Sequence, residues 1–137
     1  MSNSKMSRKV AVFFNYFCAV IILIIFYGVK YLGFPKIYLL FEIIPFIGLI
    51  ISFKIAFGKS NLWKLTHTSF SKLDEREMQI IYKATTYSYS IFTILCIAII
   101  YIVNLLGLAI IDVLVAACLL YIAHILPASI VAWNEKI

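Results

Sequence analysis

An all-α integral membrane fold, a four-helix bundle made of two tight transmembrane hairpins, is predicted by three observations. Four apolar stretches run over 10–29, 37–57, 80–103 and 108–131. A helix of about 20 residues rises roughly 30 Å, the thickness of a bilayer's hydrocarbon core. The chain of 137 residues is 64% hydrophobic and only 13% charged, with mean hydropathy +1.04. A soluble domain would carry about 25% charged residues. The third observation is that the basic residues fall almost entirely on one side of the four stretches.

The elements follow in order. Lys5, Arg8 and Lys9 precede span one. Its apolar run is longer than the roughly 7–15 residues of a signal peptide's core, and no small-residue cleavage site follows, so a retained helix is expected. Lys30 to Lys36 is a short turn holding Gly33 and Pro35. Span two ends near Lys54, whose stem can reach the headgroups. A longer loop, 58–79, leads to span three. Span three ends at Asn104-Leu-Leu-Gly107, and span four starts at once. The spans are expected to form a single transmembrane domain over 1–137. Ile24–Gly33 aligns without gaps on Ala98–Gly107, with Tyr27/Tyr101, Val29/Val103, Leu32/Leu106 and Gly33/Gly107 identical. Both a duplicated hairpin and a coincidence in a chain rich in Ile, Leu and Tyr fit that match.

With the N-terminus inside, the inner side holds Lys5, Arg8, Lys9, Lys54, Lys59, Lys64, Lys72, Arg76, Lys83 and Lys136, and the outer side only Lys30 and Lys36. The positive-inside rule then predicts a multi-pass protein of the cell (plasma) membrane with both termini cytoplasmic. Anionic inner-leaflet lipid attracts each such residue by about 1 kcal/mol. The net charge of +6 is thereby accounted for by the lipid bilayer, and no nucleic acid is expected as partner.

Loop 58–79 is the most distinctive segment. Leu62, Trp63, Leu65 and Phe70 alternate with Lys59, Lys64 and Lys72, a mix suited to the membrane surface. Ser71-x-x-Asp74 reads as a capping box. Asp74, Glu75 and Glu77 lie where a helix dipole favours negative charge. Asp74-Glu-Arg-Glu77 is thus either a well-capped helix start or a docking site on the inner face. His67 has no second His or Cys near it in sequence. No zinc-protease pattern, P-loop, nucleophile elbow or dinucleotide turn occurs, so no catalytic set, metal set or cofactor is expected. Cys18, Cys96 and Cys118 lie inside spans and read as small buried hydrophobes.

Trp63-Lys-Leu-Thr-His67, followed by Leu73-Asp-Glu-Arg-Glu77 and a Tyr/Ser-rich span, resembles a set of small prokaryotic membrane proteins with a Leu-Asp-Glu-Arg-type motif at the inner start of a helix. The resemblance implies four helices and no known activity, and it supplies no catalytic residue.

Ionisable groups at membrane depth are costly and therefore candidates for function. Glu42 and Asp112 are each expected about five residues inside an outer edge, roughly 7 Å deep at the helical rise. They either pair with Lys30, Lys36 or outer water, or form a cation- or proton-binding pair. His124, in the inner half of span four, reads as a neutral interhelical hydrogen bond. Pro45 and Pro127 read as kinks or wide turns. Lys83, Thr86, Ser90 and Thr93 share one face of span three, as a packing seam or a stripe facing another chain.

The leading expectation is a non-enzymatic subunit, assembly factor or regulator of a membrane complex. Its docking set is Trp63, His67, Asp74, Glu75, Arg76 and Glu77, and its partner a membrane protein or a second copy. The alternative is a small oligomeric cation- or proton-coupled transporter using Glu42 and Asp112.

Overall fold

The computed structural model describes residues 2–58, 62–107 and 111–134, with residues 2–6 described by their backbone alone. Lys59, Lys136, the side chain of Lys5 and the expected start of span four at 108–110 lie outside the described residues. The described chain is all-helical: α1 (Ser2–Tyr31), α2 (Ile43–Phe53), α3 (Leu62–His67), α4 (Glu75–Leu105) and α5 (Val113–Asn134). A 3-10 segment, Lys36–Glu42, runs into α2, and a π turn, Lys54–Gly58, runs out of it. A second 3-10 turn covers Phe70–Lys72. Four stretches are long and apolar enough to cross a membrane: Ser7–Tyr31, Lys36–Gly58, Glu75–Leu105 and Val113–Asn134. By internal contacts the chain divides into two compact units, Met1–Ser60 and Asn61–Ile137.

In the first unit α1 packs on α2. Ala11, Val12, Asn15, Cys18, Ala19 and Ile22 are buried. Their spacing of three and four draws one narrow, mostly small-residue face along the helix. The helices are in close contact at Gly48, where an added Cβ would lie 3.0 Å from Cys18 Sγ and 3.3 Å from the Phe14 ring. One turn away, the fully buried Asn15 donates from Nδ2 to the Leu49 carbonyl and to Ser52 Oγ, both at 3.0 Å. Ser52 Oγ in turn donates to the Leu49 carbonyl at 3.0 Å. The turn after α1 is closed by Phe34 N–H donating to the Gly28 carbonyl at 3.2 Å, with Gly33 at φ 72°. Pro45 lies in the first turn of α2, where the amide it lacks would have pointed back into the 3-10 segment.

In the second unit α4 packs on α5, and α3 packs chiefly on α5. α4 ends at Leu105, and Gly107 two residues on takes φ 65°, so the expected turn signal is met. α5 begins at Val113, five residues later than expected. Asp112 is therefore not inside a helical span. It stands immediately before α5, and its carbonyl accepts from Ala116 N–H at 3.0 Å. Asp is favoured at that position because it serves the unpaired amides of a first turn. Pro127 lies within α5, which continues to Asn134.

Candidate functional site

The central segment, 62–74, carries most of the distinctive residues. α3 is only one and a half turns long, too short to persist on its own. Its apolar anchor is Leu62, fully buried. Its last turn is tied by side chains: Thr66 Oγ1 donates to the Leu62 carbonyl at 3.0 Å and Thr68 Oγ1 to the Lys64 carbonyl at 2.6 Å. The helical spacing of four puts Trp63 and His67 on one face, where their rings stack with centroids 4.0 Å apart.

Beyond His67 lies His124 of α5. The two imidazole rings are 6.4 Å apart, centroid to centroid, and inclined by only 12°. These are the only two histidines of the chain. The expectation that His67 has no second His nearby holds along the sequence and fails in space, because α3 folds back onto α5. His124 stands roughly 16 Å along α5 from its first residue at the helical rise. The expected interhelical hydrogen bond of His124 is not formed either. Its Nδ1 is 3.0 Å from the Leu120 carbonyl, within the same helix, and Nδ1 of His67 is 2.9 Å from the Trp63 carbonyl. A carbonyl only accepts, so Nδ1 donates where such a bond is made; His67 Nδ1 also lies 3.1 Å from Thr66 Oγ1, a hydroxyl that can take either role. Neither Nε2 has a hydrogen-bond partner among the described residues.

The same folding back brings Phe70 beside α4. Phe70, Tyr82, Thr85, Thr86, Tyr89 and Ser90 line an open groove of about 360 Å³. The segment thus lies along the helices, not clear of them. Ser71 is not the cap of α4: it sits in the 3-10 turn, and its hydroxyl is 3.1 Å from that of Ser69. The capping box is present three residues later. Glu77 N–H donates to Asp74 Oδ1 at 2.7 Å, and Asp74 N–H donates to Glu77 Oε2 at 3.2 Å. Asp74 serves better as the cap than as the third-position partner, because the longer Glu77 carboxylate can reach back where an aspartate would fall short. Two of the three acids are thereby occupied locally, and Glu75 and Arg76 stay exposed.

Of the expected intramembrane groups, Glu42 ends the 3-10 segment before α2. It is half-buried, and its Oε1 is enclosed with no hydrogen-bond partner. Among the described residues Glu42 Oε1 pairs with neither Lys30 nor Lys36, one of the alternatives expected for it. The ammonium of Lys30 lies 5.7 Å from the Phe26 ring and 5.3 Å from the Tyr31 ring. Lys83, Thr86, Ser90 and Thr93 are all exposed, so they are not a packing seam within the chain. The hydroxyls of Thr86, Ser90 and Thr93 donate to carbonyls one turn back at 2.9, 3.2 and 2.8 Å.

The approach of His67 to His124 and the Asn15–Ser52 clamp were missed in the sequence. The only signal for the first was that Trp63 and His67 share a helical face. No protein-family model, curated protein or solved structure matches this chain.

Proposed function

We propose that this protein is a non-enzymatic subunit or regulator of a membrane complex, engaging a membrane-protein partner through the outward face of α4. The observation that carries this reading is the polar and aromatic character of that face. Tyr82 and Tyr89 are 71% and 75% exposed, and Lys83, Thr86, Ser90 and Thr93 are exposed beside them. A lysine and tyrosine hydroxyls are poorly served by hydrocarbon and well served by another helix. The small Ser and Thr side chains allow that helix to approach closely. The groove under Phe70 adds a recess on the same face. The cytoplasmic placement of both termini, the plasma membrane as location and the likeness to proteins with a Leu-Asp-Glu-Arg motif belong to this proposal and rest on the sequence.

The test is purification of the tagged chain in mild detergent, with the stoichiometry of what accompanies it. A partner or second copy at fixed ratio, lost in Thr86→Leu/Ser90→Leu and kept in Glu75→Ala/Arg76→Ala, supports docking through α4. A ratio unaffected by the α4 variant sinks it.

A second reading, a small oligomeric cation- or proton-coupled transporter, is favoured by the enclosed, unpartnered Oε1 of Glu42. Loss of transport in Glu42→Gln vesicles supports it, and unchanged transport in both Glu42→Gln and Asp112→Asn removes it.

A further inference from the structure

We infer that the partner engaged by α4 is a second copy of this chain, paired in parallel along a seam that runs from Thr86 to Asn104. The inference rests on the reading that the outward face of α4 is the docking face. Thr86, Ser90, Thr93, Ile97, Ile100 and Asn104 follow one another in alternating steps of four and three. All six are exposed. A repeat averaging roughly 3.5 residues keeps one seam turned towards a partner helix along its whole length. The face that α4 gives to its own chain is a different one. Ile81, Ala84 and Ser88 are buried, and at about 100° per residue they lie across the helix axis from Thr86, Ser90 and Thr93.

Chemistry and shape choose the occupant. The hydroxyls of Thr86, Ser90 and Thr93 already donate within α4, so a helix that approaches closely strands no donor. No residue from Thr86 to Asn104 carries a charge, so like residues meet across a two-fold axis without repulsion. Lys83, one step before the seam, has a stem long enough to carry its ammonium clear. Asn104 ends the seam with an amide that both donates and accepts, and it can therefore pair with its own counterpart. A polar residue at such a position fixes register and the number of chains. Two copies inserted the same way run parallel, and in a parallel pair a residue flanking the seam meets the one about five positions further along the other helix. Tyr82 thereby meets Tyr87 of the second copy, which comes level with the interval between Tyr82 and Tyr89. At that interval the structure has its groove of about 360 Å³, bounded by Phe70, Tyr82 and Tyr89 and floored by the seam residues Thr86 and Ser90. Tyr87 is 60% exposed, and the groove has room for its phenol ring. The exchange is reciprocal, as two-fold symmetry requires.

The test is a cysteine scan of the full chain in its membrane. Cys18→Ala, Cys96→Ala and Cys118→Ala remove the native thiols, and single cysteines are then introduced along α4 and oxidised with copper phenanthroline. Thr86→Cys, Ser90→Cys, Thr93→Cys, Ile97→Cys and Ile100→Cys are expected to give at least about tenfold more disulfide-linked dimer than Ile91→Cys and Ala98→Cys. Those two control positions are equally exposed but lie off the seam. Tyr87→Ala is expected to lower the yield at Ser90→Cys severalfold, because it empties the groove. Cross-links spread evenly around α4, or gathered on another face, overturn the proposal. An unchanged yield with Tyr87→Ala overturns the parallel register. A chain that forms no dimer but holds a different protein at fixed ratio, lost in Thr86→Leu/Ser90→Leu, overturns the second copy and leaves docking through α4 standing. A ratio unaffected by that variant sinks both. Where removal of the cysteines destabilises the chain, energy transfer between differently labelled wild-type chains in vesicles takes the place of the scan. Transfer that survives Ser90→Leu then counts against the seam, and transfer lost in it supports the seam.

Discussion

The two hairpins begin from similar instructions and end in different packing. α1 runs 30 residues to Tyr31 and α4 runs 31 residues to Leu105, each followed two residues later by a glycine, Gly33 and Gly107. Both glycines adopt the left-handed conformation, φ 72° and 65°, and both follow a Tyr-x-Val-x-x-Leu sequence. Past the turn they diverge. α1 presents a face of small residues to α2, with Gly48 admitting Cys18 and Phe14 and a buried Asn15 bridging the helices. The hydroxyls of Thr86, Ser90 and Thr93 instead bond within α4 itself, and its Tyr and Thr residues and Ser90 face outward. A turn motif fixes where a helix reverses, and the residues along its faces decide whether the chain completes its own contacts.

Substitutions sharpen the contrast, each measured as unfolding in mixed micelles. Gly48→Leu is expected to cost the most, about 2–3 kcal/mol, because a side chain there collides with Cys18 and Phe14 and drives α1 from α2. A loss below that of an exposed α4 substitution would break the picture of a closed first hairpin. Asn15→Ala follows, at about 1–2 kcal/mol, from two lost interhelical hydrogen bonds and a small cavity. Wild-type stability in that variant would show that the clamp is decorative. Gly33→Ala and Gly107→Ala are expected to lose about 1 kcal/mol each, the cost of a Cβ in the left-handed region. Equal losses identify the turns as equivalent, and a twofold difference separates them. Asp74→Ala removes the cap of α4 at about 0.5–1 kcal/mol, read as lost amide protection over residues 75–78. Smallest is Thr86→Val, within about 0.5 kcal/mol, since Thr86 bonds only its own helix. A larger loss in the isolated chain would mean that this face is already packed.

Much of the fold was legible because the bilayer's thickness and the cost of unpaired backbone groups leave few choices to a chain with four long apolar runs. The helices and the glycine turns follow from local rules. Local reasoning misjudged two boundaries. Ser71 competed with Asp74 for the cap, and only the reciprocal reach of Glu77 separates the two. Asp112 looked intramembrane because apolar residues flank it, yet it precedes α5.

The sequence by itself determined the helical class, the four apolar stretches, their reversals at Gly33 and Gly107 and the charge asymmetry along the chain. These depend on composition and on neighbours within a turn or two. Only the tertiary structure decided that Asn15 clamps α2, that the polar face of α4 points outward and that His67 meets His124. Residues 57 positions apart in the chain come together through the packing of α3 on α5. Helical periodicity records which residues share a face, and it carries no information about which helix that face will meet.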